Sequence, residues 1–263
     1  MNDIPIFDSL THPTFNGDWI LPKYSTGIAS IEKLIEDMDK SNISHAIACG
    51  MKDIGEYEQN KYIEFIRDYG TRLYPIAFVD FKEIVNVNNY ISKIKALGYI
   101  GVKVHSRISD ISISNPIVAD VISQCEKKGL IVFLCTYFYA NNETSYANNV
   151  SSLIKLLRQT YPAKIVLAHA GCVNLMEYVE VARVFENVLL DLSFTIHKYF
   201  NSSVREDIKY VFESFDRRIC IGSDHPEITI ENLRMYFNYF CENIDKSKAE
   251  NIAYKNLSGF LNI

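Results

Sequence analysis

No cluster of lysine and arginine occurs anywhere in this 263-residue sequence, and its formal net charge is −5. Nucleic acids and anionic membrane surfaces are recognised through a basic footprint, so neither is an expected partner. No apolar run approaches the roughly 18 residues needed to cross a bilayer. The opening MNDIPIFDSL is too short and too acidic to read as a secretory signal. CxxC pairs are also missing. The six cysteines (Cys49, Cys125, Cys135, Cys172, Cys220 and Cys241) are widely scattered, and four lie within apolar runs such as IVFLC and RICIG. Reduced, mostly buried thiols in a cytoplasmic protein are expected rather than a disulfide framework. With no linker, low-complexity tract or close internal repeat, the chain reads as one domain over residues 1–263.

What is present is alternation. Short runs rich in Val, Ile, Leu and Phe fall at Ile4–Asp8, Ala46–Gly50, Tyr74–Asp80, Gly101–His105, Ile131–Thr136, Ile165–His169, Val188–Ser193 and Ile219–Asp224. They lack strict polar alternation, as expected of parallel strands covered on both faces. Between them the period changes. Ile31, Leu34, Ile35 and Met38 make one apolar helical stripe, and Val118, Val121, Ile122 and Cys125 repeat it behind an Asn115-Pro116 start. Gly70, Gly98 and Gly129 each follow a helical segment, where a left-handed residue is wanted. Ser247 to Glu250 reads as a capping box opening a terminal helix. Eight strands each followed by a helix predict an α/β fold, a single (β/α)₈ TIM barrel. A doubly wound open sheet is the alternative, because periodicity does not report closure.

In a barrel, function collects at the carboxyl ends of the strands. Those ends offer Asp8 and His12, then Asp80, then Lys103, His105 and Arg107, then Cys135 and Thr136, then His169, Asp191 with Ser193, and finally Asp224 and His225. Four of the six histidines lie at or near such ends, whereas random placement would spread them over helices too. Imidazoles and carboxylates converging on a barrel mouth suit a divalent metal that activates water, lowering its pKa from about 15.7 to about 7. The bland alternatives are a turn histidine at His12, a solvated rim at His105 and a loop histidine at His225.

The segments IFDSLTH, GYIGVKVH, KIVLAHAGC, NVLLDLS, RICIGSDHP and NIAYKNLSGFL resemble, in order, those of the amidohydrolase-related (amidohydrolase 2 type) metal-dependent hydrolases. That family contains barrel hydrolases, lactonases and decarboxylases acting on carboxylated rings. The resemblance runs from the first strand to the terminal helix carrying Asn256. It implies His12, His169 and Asp224 as metal ligands, Asp224 as general base and His169 as a second catalytic group. Two positions depart from the pattern. Leu10 stands where the first histidine of a His-x-His pair is usual, and Cys135 stands where the fifth strand usually ends in a metal-binding histidine. One divalent ion is therefore implied rather than two, and zinc is the implied metal if the Cys135 thiolate contributes. Lys103, His105 and Arg107 read as a positive rim for a substrate carboxylate or phosphate.

Two functions follow. The first is a metal-dependent hydrolase of C–N or C–O bonds, or a lyase, acting on a small anionic substrate. The second is a metal-free or degenerate barrel that binds or regulates; a non-oxidative decarboxylase or a lactonase of the same family stands beside it. Met235–Phe240, MYFNYF, is either a homo-oligomer contact or a buried helix face.

Overall fold

The computed structural model describes residues 1–20, 27–139 and 147–263. The apolar runs form eight strands: β1 (Ile6–Thr11), β2 (Ile43–Cys49), β3 (Leu73–Phe78), β4 (Gly101–Val104), β5 (Ile131–Cys135), β6 (Ile165–Ala168), β7 (Val188–Asp191) and β8 (Ile219–Cys220). Their order in the sheet is their order in the chain, and each adjacent pair is parallel. Beyond Cys220 the chain continues along β1. Ser9 N donates to Ile221 O (3.0 Å), Asp224 N to Leu10 O (2.9 Å) and His12 N to His225 O (2.8 Å). These bonds close the sheet, so the fold is the TIM barrel and not the open doubly wound sheet. The seam is tight at Gly222, where a Cβ would lie 2.5 Å from Ser9 Oγ and 3.0 Å from the Leu10 nitrogen.

The two strands at this seam differ most from the sequence expectation. β1 begins two residues late and runs on to Thr11, with register breaks between Ile6 and Phe7 and between Asp8 and Thr11. Regular pairing in β8 stops at Cys220, and Asp224 takes a left-handed φ of 55°. Irregular backbone of this kind re-aims side chains at the rims of barrels.

Among the described residues each strand is followed by a longer helix: α1 (Ile31–Lys40), α2 (Gln59–Arg67), α3 (Val87–Leu97), α4 (Pro116–Lys127), α5 (Val150–Thr160), α6 (Leu175–Val184), α7 (Val204–Ser214) and α8 (Ile230–Phe240). The expected stripes are buried, with Ile31, Leu34 and Met38 in α1 and Val118, Val121, Ile122 and Cys125 in α4. Asn115 caps α4 by accepting from Ile117 N at 3.1 Å, and Gly98 ends α3 with φ 98°. The expected capping box at Ser247 does not form. That helix starts at Lys246, and Asp245 takes the cap position without a side-chain cap bond. In α8, Tyr236, Phe237 and Phe240 are buried while Met235 and Tyr239 are exposed, so most of the aromatic run is core. Among the described residues no helix is long and apolar enough to cross a membrane.

Two-residue alternation sorts the strands into two packed layers. Ile47, Cys49, Ile76, Phe78, Phe133 and Leu189 fill the barrel, while Ala46, Ala48, Val102, Val104, Val132 and Leu134 face the helices. Leu257 and Leu261 join the inner cluster from below. Asn256 Nδ2 ties this terminal helix to Asp216 O (2.6 Å) and Ile219 O (2.7 Å). The amino end of the barrel is thereby plugged. By the same parity Lys103, Cys135 and Asp191 are inward residues in the upper layer, all essentially without solvent exposure. The six cysteines are free and buried, as expected.

Candidate active site

A cavity of about 240 Å³ opens at the carboxyl ends of the strands. His12, Lys103, His105, Arg107, His169 and Asp224 all border it, together with Trp19, Ile20, Met51, Ile108, Tyr137, Phe194 and Glu227. The structure thus brings together the six residues expected to bind metal or substrate, whereas Asp80 pairs with Lys52 in a separate pocket and His225 turns away to the Ile28 carbonyl at 3.0 Å. Tyr137 and Phe194 follow strand ends and were within reach of the same argument. Trp19 and Glu227 come from loops without periodic signal; they enter through one contact, Trp19 Nε1 donating to Glu227 Oε1 at 2.8 Å.

The walls from β1 and β8 meet in a histidine–carboxylate pair. Irregular backbone after Cys220 turns Asp224 back over the mouth, where its Oδ1 lies 3.2 Å from His12 Nε2. His12 Nδ1 donates to the Cys49 carbonyl at 2.8 Å, and its ring stacks on Trp19 with centroids 5.4 Å apart. With Nδ1 committed to a carbonyl, the Asp224 contact is a hydrogen bond when Nε2 carries a proton. Burial would raise the Asp224 pKa, but His169, His12 and Lys103 together hold it well below the usual carboxylate range.

The opposite walls hold a second group. The Ile108 amide donates to His105 Nδ1 at 3.2 Å, so the proton of the neutral ring sits on Nε2. His169 has the reverse arrangement, with Nδ1 against Ser193 O at 3.1 Å and Ser193 Oγ at 3.2 Å. Cys135 contacts both imidazoles. Burial would push its thiol up, but His105 and His169 more than reverse this and lower it well below the ordinary range. Burial lowers the His105 pKa. For His169 burial acts the same way, yet the Asp224 and Cys135 charges raise it on balance. The protonated form is thereby favoured at His169 relative to His105.

Positive charge also lines the floor. Lys103 Nζ and Arg107 Nε are buried atoms without a hydrogen-bond partner among the described residues. The Arg107 guanidinium stacks 4.8 Å from the Tyr137 ring centre. Lys198 covers Tyr137 and Phe194 at 5.0 and 4.8 Å. Non-glycine residues with left-handed backbone cluster at the same mouth: His169 (φ 68°), Ala170 (43°), Cys172 (57°), Phe194 (63°) and Asp224 (55°). Each such residue costs about 1–3 kcal/mol, and folds retain such conformations mostly at working sites.

The implied metal site finds no matching donor set. Among the described residues no three His, Cys, Asp and Glu side chains are grouped so as to hold an ion. His12 has both ring nitrogens engaged, and the position of a further ligand is filled by Leu10, fully buried. A lysine nitrogen borders the same cavity and would repel a divalent cation. His12, His169 and Asp224 meet at the mouth without forming the ligand set that the resemblance implied.

Comparison with solved structures returns the same architecture. The chain is similar to an uncharacterised TIM-barrel protein from Bordetella bronchiseptica, at a TM-score of 0.82 and 16% identity over 98% of this chain and 99% of that one. It is also similar to a probable 2-pyrone-4,6-dicarboxylic acid hydrolase from Acinetobacter baumannii with citric acid bound. There the TM-score is 0.70 at 18% identity, over the full length of both chains. A third is 5-carboxyvanillate decarboxylase from Sphingomonas paucimobilis, with a TM-score of 0.71 at 12% identity, over 99% and 100%. No family model matches the sequence, and no curated protein matches it. At such identities the likeness establishes the fold.

Proposed function

We propose that this protein is an enzyme acting on a small carboxylated compound at the barrel mouth, a hydrolase of an ester or lactone bond with Asp224 as general base. One observation carries the reading. Two buried nitrogens of cationic side chains without hydrogen-bond partners among the described residues, Lys103 Nζ and Arg107 Nε, border the same cavity as the Asp224 carboxylate, 3.2 Å from His12 Nε2. Unpaired buried charge is costly to keep, and a ligand anion supplies the missing partner. Arg107, with His105 Nε2–H beside it, holds the substrate carboxylate. Asp224, ionised because its neighbours lower its pKa, takes the proton from attacking water on its Oδ2, while His12 Nε2–H holds Oδ1 in place. His169 and Lys103 supply positive charge where an oxyanion would develop, a place filled by a metal in enzymes with a full ligand set. No metal step is included, because the donor set does not fit one. The names of two similar structures support the substrate class, since a pyrone dicarboxylic acid and a carboxyvanillate both carry carboxyl groups.

The test is turnover of a panel of carboxylated lactones and aryl esters against their uncharged methyl esters, before and after dialysis with chelator. The charged members should be hydrolysed preferentially, chelation should change nothing, and Asp224→Asn should lower kcat by about 10²–10⁴-fold. Activity that survives Asp224→Asn, or that disappears on chelation, would overturn the mechanism. Carbon dioxide release from the carboxylated members without ring or ester cleavage would reassign the reaction to decarboxylation.

A further inference from the structure

Beneath His169 lies a buried chain of polar groups that the proposed chemistry does not use. Asp191 is the last residue of β7; two-residue alternation turns it into the barrel, where it has no solvent exposure. Its carboxylate accepts three hydrogen bonds. Ser9 Oγ donates to Oδ1, Ser193 N donates to Oδ1 at 2.9 Å, and Ser193 Oγ donates to Oδ2. Ser193 in turn presents two oxygens to His169 Nδ1, its carbonyl at 3.1 Å and its hydroxyl at 3.2 Å. Thr195 Oγ1 donates to the His169 carbonyl at 2.6 Å and pins the backbone of the same residue.

Counting protons fixes the direction of every bond. A hydroxyl has one proton to give. Ser193 Oγ gives its proton to Asp191, so toward His169 it can only accept. A carbonyl can only accept as well. Both groups facing Nδ1 are therefore acceptors, and Nδ1 must carry the hydrogen. In the neutral ring Nε2 is then bare, and His169 borders the cavity. Were the carboxylate not there to take the hydroxyl proton, Ser193 Oγ could donate to Nδ1 and stabilise the opposite tautomer.

We infer that Asp191 is a positioning residue: acting through Ser193, it holds His169 in the Nδ1–H tautomer and so dedicates Nε2 to the cavity. The arrangement does for His169 what an orienting carboxylate does for the histidine of a catalytic triad, with a serine interposed. Ser9 extends the link to β1, tying His169 to the strand that leads into His12. His105, held as the Nε2–H tautomer by the Ile108 amide, provides the contrast. When both rings are neutral, His105 is thus set as a donor and His169 as an acceptor. The working role of His169 rests on the proposed function; its tautomer does not.

The experiment is nitrogen-15 NMR of histidine-labelled full-length protein without ligand, at alkaline pH where the ring is neutral. The two nitrogens of a neutral imidazole give well-separated shifts, so the tautomer is read directly. Wild type should show His169 as Nδ1–H. Asp191→Asn should move it to Nε2–H or to a mixture, because an amide nitrogen turned toward Ser193 Oγ leaves that hydroxyl free to donate to Nδ1. Asp191→Asn with Ser193→Ala should restore Nδ1–H, since the competing donor is gone while the carbonyl acceptor remains. A restored tautomer in the double variant separates the relay from general damage to the fold. Wild-type His169 as Nε2–H overturns the inference, even if no variant folds. So does a folded Asp191→Asn protein with an unchanged ring. Neither result depends on a substrate, so failure here and failure of the hydrolase reading are distinguishable.

Discussion

Replacing Lys103 by Met should make the protein more stable and less able to bind anions. The side chain is 1% exposed and its Nζ has no hydrogen-bond partner among the described residues. Taking an ammonium out of water costs several kcal/mol even after relaxation. Attraction to Asp224 recovers part of that, but among the described residues hydrogen bonds are missing. Apolar replacement of buried charges at similar volume commonly stabilises by about 1–4 kcal/mol. Asp224 keeps His12 as a partner in the variant, so a value of about 2 kcal/mol is reasonable. In a chain of this size each kcal/mol moves Tm by about 2–4 °C, giving a rise of about 4–8 °C. The assay is thermal unfolding with and without citrate as a carboxylate probe. Citrate at about a hundred times its Kd should stabilise wild type by about 2.7 kcal/mol and should lose most of that effect in Lys103→Met. A variant that melts below wild type, or that keeps the full citrate shift, would refute the argument that Lys103 is an unpaired cation awaiting an anion.

Two further outcomes are expected. Burial pushes the Asp8 carboxyl up to about 7 from 3.8, against the Ser223 and Leu10 hydrogen bonds that lower it. The folded state then holds this proton more tightly than the unfolded chain. Its contribution is complete below about pH 4 and is lost as pH rises to about 7, by up to about 4 kcal/mol. Asp8→Asn should flatten that slope in urea unfolding measured across this range, and a parallel slope in both proteins would sink the assignment. The metal question is approached by construction. Leu10→His combined with Cys135→His supplies the two absent ligand types, so elemental analysis after growth with zinc should find about one equivalent in the double variant and little in wild type. Stoichiometric, chelator-removable zinc in wild type would return His12, His169 and Asp224 to the role of ligands.

The sequence by itself determined the succession of strands and helices. A parallel strand covered on both faces must be apolar throughout, and a helix packed on it must be apolar at every third or fourth position; both constraints are local and survive in one dimension. Strand ends were legible for the same reason, which is why His12, Lys103, His105, Arg107, His169 and Asp224 could be singled out before their meeting in space was known. Closure was not legible, since it rests on bonds between residues more than two hundred positions apart, such as Asp224 N to Leu10 O. Neither were its consequences: the His12–Asp224 pair, the burial of Lys103 without a partner, and the direction of protons from Asp191 through Ser193 to His169. Each depends on which groups the barrel presses together once water is excluded. A residue type states what a side chain can donate or accept, but only the tertiary structure decides which partner is left within reach.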